Sequence, residues 1–330
     1  MLSLSLIIPV YNRPQEVDEL LASLTKQSDR NFEVIIVEDG STDKSEDVVN
    51  SYSEALSVSY HFIPNGGPGQ ARNYGARTAQ GEYLIVLDSD CVVPEDYIRS
   101  VRAELTSSKA DAFGGPDKAF KDFSSIQKAI NYSMTSFFTT GGIRGGKKKM
   151  DKFYPRSFNM GVRKKIYDEL GGFSKMRFGE DIDFSIRIYR KGYKICLFSS
   201  AWVYHKRRTD WKKFYRQVYN SGIARINLFR KYPDSLKVVH LLPSIFTVGA
   251  LVCFILGFLS PLLWLPLGLF TLIVFCDSTT QNKSFKIGLL SIIASFIQLF
   301  GYGLGFLSAF WKRIVLKKNE FSAFNENFYS

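Results

Sequence analysis

This chain is poorly equipped for disulfide chemistry. Its 330 residues include only four cysteines. Cys91, Cys196, Cys253 and Cys276 stand far apart with no paired spacing, which excludes a disulfide framework and reads as reduced structural thiols. Residues 1–10 are apolar but lack a basic start and a small-residue cleavage site. Tyr11-Asn12-Arg13-Pro14 cuts them short, so they read as a strand and not as a signal peptide. The net charge is +12, yet no recognition motif accompanies it, so no nucleic-acid partner is expected. Charge is itself scarce after Lys237, where Leu, Ile, Phe, Val and Gly dominate.

Basic residues gather at 144–165 and at 206–216, the second group just ahead of the apolar tail. A solvated basic face explains them; so does a membrane, because Lys and Arg beside spanning segments mark the cytoplasmic side. Residues 210–231 have an amphipathic pattern suited to a juxtamembrane helix (208–237) in the interface, or to a helix packed on its own domain. The membrane region, 238–330, holds apolar stretches at 238–259, 262–276 and 287–311. A spanning helix needs about 20 residues, so the second is short. The first two are expected to cross. The third has Lys283 and Lys286 before it and Lys312, Arg313, Lys317 and Lys318 after it, which sits poorly with one crossing. It is left as a crossing or as a hairpin bent at Gly301, Gly303 and Gly305. Ser291, Ser295, Gln298 and Tyr302 share one of its faces, as in a helix packed against neighbours in lipid.

The first ninety residues alternate short apolar runs with helical patterns. Strands are expected at 4–10, 32–37, 58–63 and 83–87, and helices from Pro14, from Ser41-Thr42-Asp43, and over 67–79. Runs apolar throughout suggest strands covered on both faces, and the βαβα rhythm argues for a parallel, doubly wound sheet. The run 141–149, rich in glycine and lysine, is a mobile connection or a loop able to close over a ligand.

Four patterns carry chemistry. Pro9-Val10-Tyr11-Asn12-Arg13 ends the first strand, and Glu38-Asp39-Gly40-Ser41 ends the second. Asn65-Gly66-Gly67-Pro68-Gly69-Gln70-Ala71-Arg72 opens a helix and leads to Asp88-Ser89-Asp90 after the fourth strand. Gly171-Gly172-Phe173 precedes Gly179-Glu180-Asp181-Ile182-Asp183. In an extended chain, Asp88 and Asp90 can face one way and attract a divalent cation; alternatively they merely end a strand in a solvated turn. Asp39 could accept hydrogen bonds from a nucleobase or ribose, and Tyr11 could stack on a base. A turn residue and a terminated strand at Pro9 and Tyr11 are the plainer readings. Arg72 among helix-opening amides suits a diphosphate, or makes a surface salt bridge. Glu180 and Asp181 at a helix start also interact favourably with the helix dipole.

In this order, the four patterns resemble glycosyltransferase family 2 over residues 4–205. The resemblance implies a GT-A fold, an α/β doubly wound mixed sheet followed here by C-terminal transmembrane helices. Residues 1–207 would be the catalytic domain, with a nucleotide-binding half (1–115) and an acceptor-binding half (116–207). It implies a nucleotide-sugar donor held by Pro9, Tyr11, Asp39, Arg72 and Asp88. A divalent metal, Mn²⁺ or Mg²⁺, would lie on Asp90, with Asp88 on the ribose or the metal. His205 matches a histidine frequent in the family and is a metal ligand or a core residue. Asp181 would be the catalytic base of an inverting transfer, Glu180 an acceptor contact, and Asn159 a sugar contact or a turn residue. The Gln-x-x-Arg-Trp pattern of processive members is missing, which implies one sugar per event.

The expected protein is therefore a multi-pass cell-membrane enzyme with a cytoplasmic catalytic domain. It would act on a lipid-linked or cell-envelope glycan acceptor in contact with membrane lipid. A polyprenyl-phosphate sugar synthase and an inactive GT-A scaffold are the alternatives.

Overall fold

The structure is a computed structural model and describes residues 2–120, 123–141 and 153–319. The glycine- and lysine-rich run beyond Gly141, expected as a loop, lies outside them. The chain divides into two units, residues 2–120 with 153–206 and residues 123–141 with 207–319.

In chain order the first unit begins β1 (Leu4–Val10), α1 (Pro14–Leu24), β2 (Glu33–Asp39), α2 (Glu46–Ser51), β3 (Val58–Ile63), α3 (Pro68–Thr78) and β4 (Tyr83–Leu87). It goes on with β5 (Cys91–Val92), α4 (Tyr97–Ser108), β6 (Ala112–Gly114) and β7 (Asp117–Lys118). Two helices of the second unit, α5 (Ser125–Thr135) and α6 (Phe137–Thr140), interrupt it. It resumes with β8 (Asn159–Arg163), α7 (Lys164–Glu169), α8 (Glu180–Arg190), β9 (Ile195–Leu197) and β10 (Val203–His205).

Seven strands form one sheet in the order β3-β2-β1-β4-β8-β6-β9, with β8 antiparallel to both neighbours. This is the expected doubly wound mixed sheet. Every residue of β1 and β4 is buried, because alternate side chains enter two different cores. Leu6, Ile8 and Ile85 pack with α1 and α4 on one face, and Ile7, Leu84 and Val86 with α3 and α8 on the other. Gly75 lets α3 lie close on the sheet; a β-carbon there would stand 2.6 Å from the Ile7 side chain.

Chain direction along the sheet reverses between β1 and β4, since β2 and β3 extend from one side of β1 and β4 lies on the other. Ligands of open α/β sheets bind outside the carboxyl ends at such a switch. Pairing of β1 with β4 ends at Ile7↔Val86, so Pro9, which has no amide hydrogen, breaks none of that ladder. A second, three-stranded sheet, β5-β10-β7, sits at the same end of β4.

The second helix starts later than expected, at Glu46 rather than around Ser41. Long-range bonds hold the intervening residues open. The Asn12 side-chain oxygen accepts from the amides of Thr42 (2.8 Å) and Asp43 (2.9 Å), and Glu38 accepts from the Ser45 amide at 2.9 Å. Asn12 itself is left-handed (φ 52°), a conformation Asn tolerates better than most residues.

The second unit adds α9 (Trp211–Lys231), α10 (Leu242–Leu256), α11 (Leu265–Asn282) and α12 (Phe285–Phe310). Asp210 caps α9 by accepting from the Lys213 amide at 2.7 Å. Two helical segments, Pro261–Asn282 and Phe285–Val315, are long and apolar enough to cross a membrane; α10, at 15 residues, is shorter. The expectation of two crossings at 238–259 and 262–276 is corrected for the first of them.

The proposed bend at Gly301, Gly303 and Gly305 is also corrected, because α12 is continuous through them. These glycines are close-contact points. A β-carbon at Gly301 would meet Val218 at 2.5 Å, one at Gly305 the Tyr219 carbonyl at 2.1 Å, and one at Gly303 the Thr247 hydroxyl at 2.1 Å. Small residues here let α9 and α10 approach α12 at backbone distance. On the same helix, Ser291 is bonded to Ser278 of α11 at 2.7 Å.

Candidate active site

Beyond Leu87 the chain turns, with the Cys91 amide on the Asp88 carbonyl at 3.1 Å. Extended alternation therefore stops before Asp88-Ser89-Asp90, and the two carboxylates engage different cations. Asp88 accepts from Arg72 Nη2 at 2.8 Å. Asp90 accepts from Arg13 Nη1 at 2.8 Å through Oδ2, and its Oδ1 lies 3.1 Å from His205 Nε2.

His205 arrives through the small sheet. In β10 it is in register with Cys91 of β5, and the Lys206 amide donates to the Asp90 carbonyl at 3.2 Å. Its ring stacks on Phe158 at 4.9 Å. Ligand atoms of Asp90, Cys91 and His205 lie within 4.8 Å of one another. The Cys91 thiol is buried, and that burial, with the charges of Asp90 and Asp88, pushes it well above its ordinary range. It stays protonated and contacts the Phe158 carbonyl at 3.5 Å. The usable donors are one carboxylate and one imidazole. That pair fits a divalent ion with open positions for phosphate oxygens.

Arg72 is only 3 % exposed. It spans Asp88 and Glu180, bonding the latter from Nη1 at 3.0 Å, and lies 5.3 Å from the Phe173 ring. The expected alternative of a surface salt bridge is corrected, because the guanidinium is buried. The guanidinium is buried and bound to two carboxylates, so it fixes their positions.

Glu180 and Asp181 open α8, after Gly179 at φ 84°. Asp181 Oδ2 accepts from Arg156 Nε at 2.7 Å, and Oδ1 accepts from the Ile182 amide at 2.8 Å. Burial alone would raise the Asp181 carboxyl. Arg156, the Ile182 amide and Arg72 outweigh it and hold the carboxyl below the ordinary carboxylate range. Glu180 goes the other way: burial first, then the neighbouring Asp181 charge, push it up to about 7 despite Arg72. Asp183 is fully buried and paired with Arg187 at 3.0 Å, a structural acid.

Four candidates remain, two of them already engaged. Asp39 is fully buried, and its two oxygens accept from the amides of Gly66 (2.7 Å) and Gly67 (2.9 Å), shaping the loop into α3. Asn159 is corrected as an acceptor contact. It is fully buried in β8, accepts from the Tyr97 hydroxyl at 2.7 Å and donates to the Ala201 carbonyl at 2.8 Å. Pro9 is buried in β1, while Tyr11 is half-buried just past its end.

Arg13 and Arg156 were not singled out from the sequence. Arg13 is the last residue of the first motif, which was a usable signal. Arg156 lies within the basic run 144–165 and has no distinguishing spacing.

The profile described as "Glycosyl transferase family 2" matches residues 5–171, half of the chain. An uncharacterized glycosyltransferase of Haemophilus influenzae is 48% identical over 93 residues, 28% of this chain and 31% of that protein. The poly(ribitol-phosphate) beta-N-acetylglucosaminyltransferase TarS of Staphylococcus aureus is 32% identical over 136 residues, 37% of this chain and 24% of that one. The chain thus spans about a third or less of these two relatives' lengths. Among solved structures, the mannosyltransferase PcManGT of Pyrobaculum calidifontis, in complex with GDP-Man and Mn²⁺, superposes with a TM-score of 0.62 at 17% identity, covering 89% of this chain and 86% of that one.

Proposed function

Because this chain belongs to glycosyltransferase family 2, we propose that it transfers one sugar, with inversion, from a nucleotide donor to a lipid-linked or cell-envelope glycan. The donor is taken to be a uridine diphosphate sugar. The observation that carries this reading is the Arg72 bridge. It ties Asp88, at the sheet's ligand-binding end, to Glu180 beside Asp181, so donor and acceptor groups share one buried cation.

In this reading residues 1–115 carry the donor and 116–207 the acceptor. Asp90 and His205 would hold Mn²⁺ or Mg²⁺, and Asp88 would face the ribose or the ion. A bound ion neutralises charge on the departing nucleoside diphosphate. Tyr11 and Pro9 border the nucleoside, with Asp39 behind them through the loop it shapes. Asp181 takes the proton of the attacking acceptor hydroxyl late in the displacement, where a modest base suffices. Glu180 contacts the acceptor. The apolar helices keep the enzyme on the cytoplasmic face of the cell membrane, near its acceptor.

Relatives support the direction. TarS is named for poly(ribitol-phosphate), and the PcManGT structure holds a sugar nucleotide with Mn²⁺. The test is a panel of sugar nucleotides incubated with membrane-extracted protein and Mn²⁺ or Mg²⁺. Metal-dependent release of nucleoside diphosphate is expected, with a product of inverted anomeric configuration. No nucleotide binding and no turnover on any donor would favour an inactive scaffold.

A further inference from the structure

We propose that residues 248–272 form a hairpin that enters the bilayer from the side on which α9 sits and reverses within the hydrocarbon, so that the chain leaves on the side it entered. This stands apart from the transfer chemistry and replaces a multi-pass arrangement. Its partner is the acyl-chain region of a bilayer whose anionic headgroups meet Lys237, Lys283 and Lys286.

Cover and charge are the first observations. No Asp, Glu, Lys or Arg occurs between Lys237 and Asp277. At the reversal the apolar side chains have almost nothing over them, with Phe258 70 %, Leu259 83 % and Leu262 76 % exposed. Water disfavours such a surface, and these side chains remain exposed among the described residues.

The reversal also pairs most of its own amides, which lowers the cost of placing it in hydrocarbon. Amides of Gly257, Phe258, Leu259, Ser260 and Leu263 donate to carbonyls of Cys253, Ile255, Leu256, Leu256 and Ser260. Pro261 has no amide hydrogen to place. The Trp264 indole covers Gly257, where a β-carbon would lie 1.9 Å from its nitrogen, and donates to the Phe254 carbonyl at 3.2 Å.

Length sets the depth. The 15 residues of α10 reach about 22 Å, and Asp277 lies about 18 Å along α11 from Leu265, against a hydrocarbon core of about 30 Å. Polarity returns at Asp277, which is tied to the Tyr132 hydroxyl of α5 at 2.7 Å and to Gln281. Neither arm reaches the far interface.

The last helix, long enough to cross, is partly covered by protein. Along one side α12 is backed by α9, whose Lys212, Lys213, Arg216, Arg230 and Lys231 are exposed and basic, as suits water or anionic headgroups. A helix covered in this way is not surrounded by lipid, and the basic residues at both its ends belong on one side.

The experiment uses the full chain in sealed right-side-out and inverted vesicles. Cysteines are introduced one at a time as Lys213→Cys, Leu259→Cys and Ser284→Cys, then challenged with a membrane-impermeant maleimide. Labelling is read peptide by peptide by mass spectrometry, so the native cysteines stay. Positions 213 and 284 are expected to label from the same face, and 259 from neither until detergent is added. Labelling of 284 from the face opposite 213, or of 259 from either face of sealed vesicles, overturns the proposal. As a second measurement, Leu259→Arg combined with Leu262→Arg should release at least threefold more protein on alkaline-carbonate extraction. Unchanged retention would place the reversal in water and overturn it equally.

Discussion

Arg156 donates from Nε to Asp181 Oδ2 at 2.7 Å, and this bond helps decide which of two adjacent carboxylates is charged at neutral pH. Asp181 sits low and Glu180 high, although both are buried at the start of one helix. The arginine, 42 % exposed, reaches the pair from the segment just before β8.

Replacing Arg156 with Ala should therefore lower kcat by about tenfold or more while leaving donor KM little changed. Activity requires ionised Asp181, so it fails as pH falls through that group's pKa. In the parent this acid limb lies below the usual carboxylate range. In Arg156→Ala it should move to higher pH, and a pH–rate profile checks the shift.

Glu180 gives a stability signature of opposite sign. Folding raises this carboxyl to about 7. A raised acid favours the folded state below its ordinary pKa, and that contribution is lost as pH climbs through 7. Thermal unfolding from pH 5 to 8.5 should show a steeper loss of Tm in the parent than in Glu180→Gln, whose Arg72 keeps Asp88 as partner.

Arg72→Met should destabilise the fold by about 3–5 kcal/mol, since it leaves Asp88 and Glu180 without their buried cation. Arg72→Lys should recover only part of this, because one ammonium cannot reproduce a fork bonded to two carboxylates. Urea unfolding of the two variants measures both.

Asn159→Ala should cost about 1–3 kcal/mol of stability through the orphaned Tyr97 hydroxyl and Ala201 carbonyl. Acceptor KM should not change. A rise in KM at unchanged stability would return Asn159 to the acceptor site.

Much of the fold was legible because its causes are local. Strands β1 and β4 are largely apolar runs, and α3, α8 and α9 start at residues whose backbone or side chain suits a helix start: Pro68, Gly179 and Asp210. What was misread depends on distant partners. Asn12, just past the neighbouring strand, and Glu38, at the end of β2, delay α2. Asn159 looks like a turn residue until Tyr97 and Ala201 close on it. Glycines 301, 303 and 305 resemble a hinge until Val218, Tyr219 and Thr247 fill the space against them. In the site, the motifs named the carboxylates. Which cation each would meet, Arg13, Arg72 or Arg156, is set by tertiary packing and is not encoded in spacing.

In the proposed function, a divalent ion on Asp90 and His205 would offset the charge of the departing nucleotide. Its most direct test is the turnover of Asp90→Ala across a Mn²⁺ titration, with thermal unfolding as a control for the fold. A loss of about 100-fold or more that added Mn²⁺ does not restore is predicted. Parental turnover at the same Mn²⁺ concentration would contradict it.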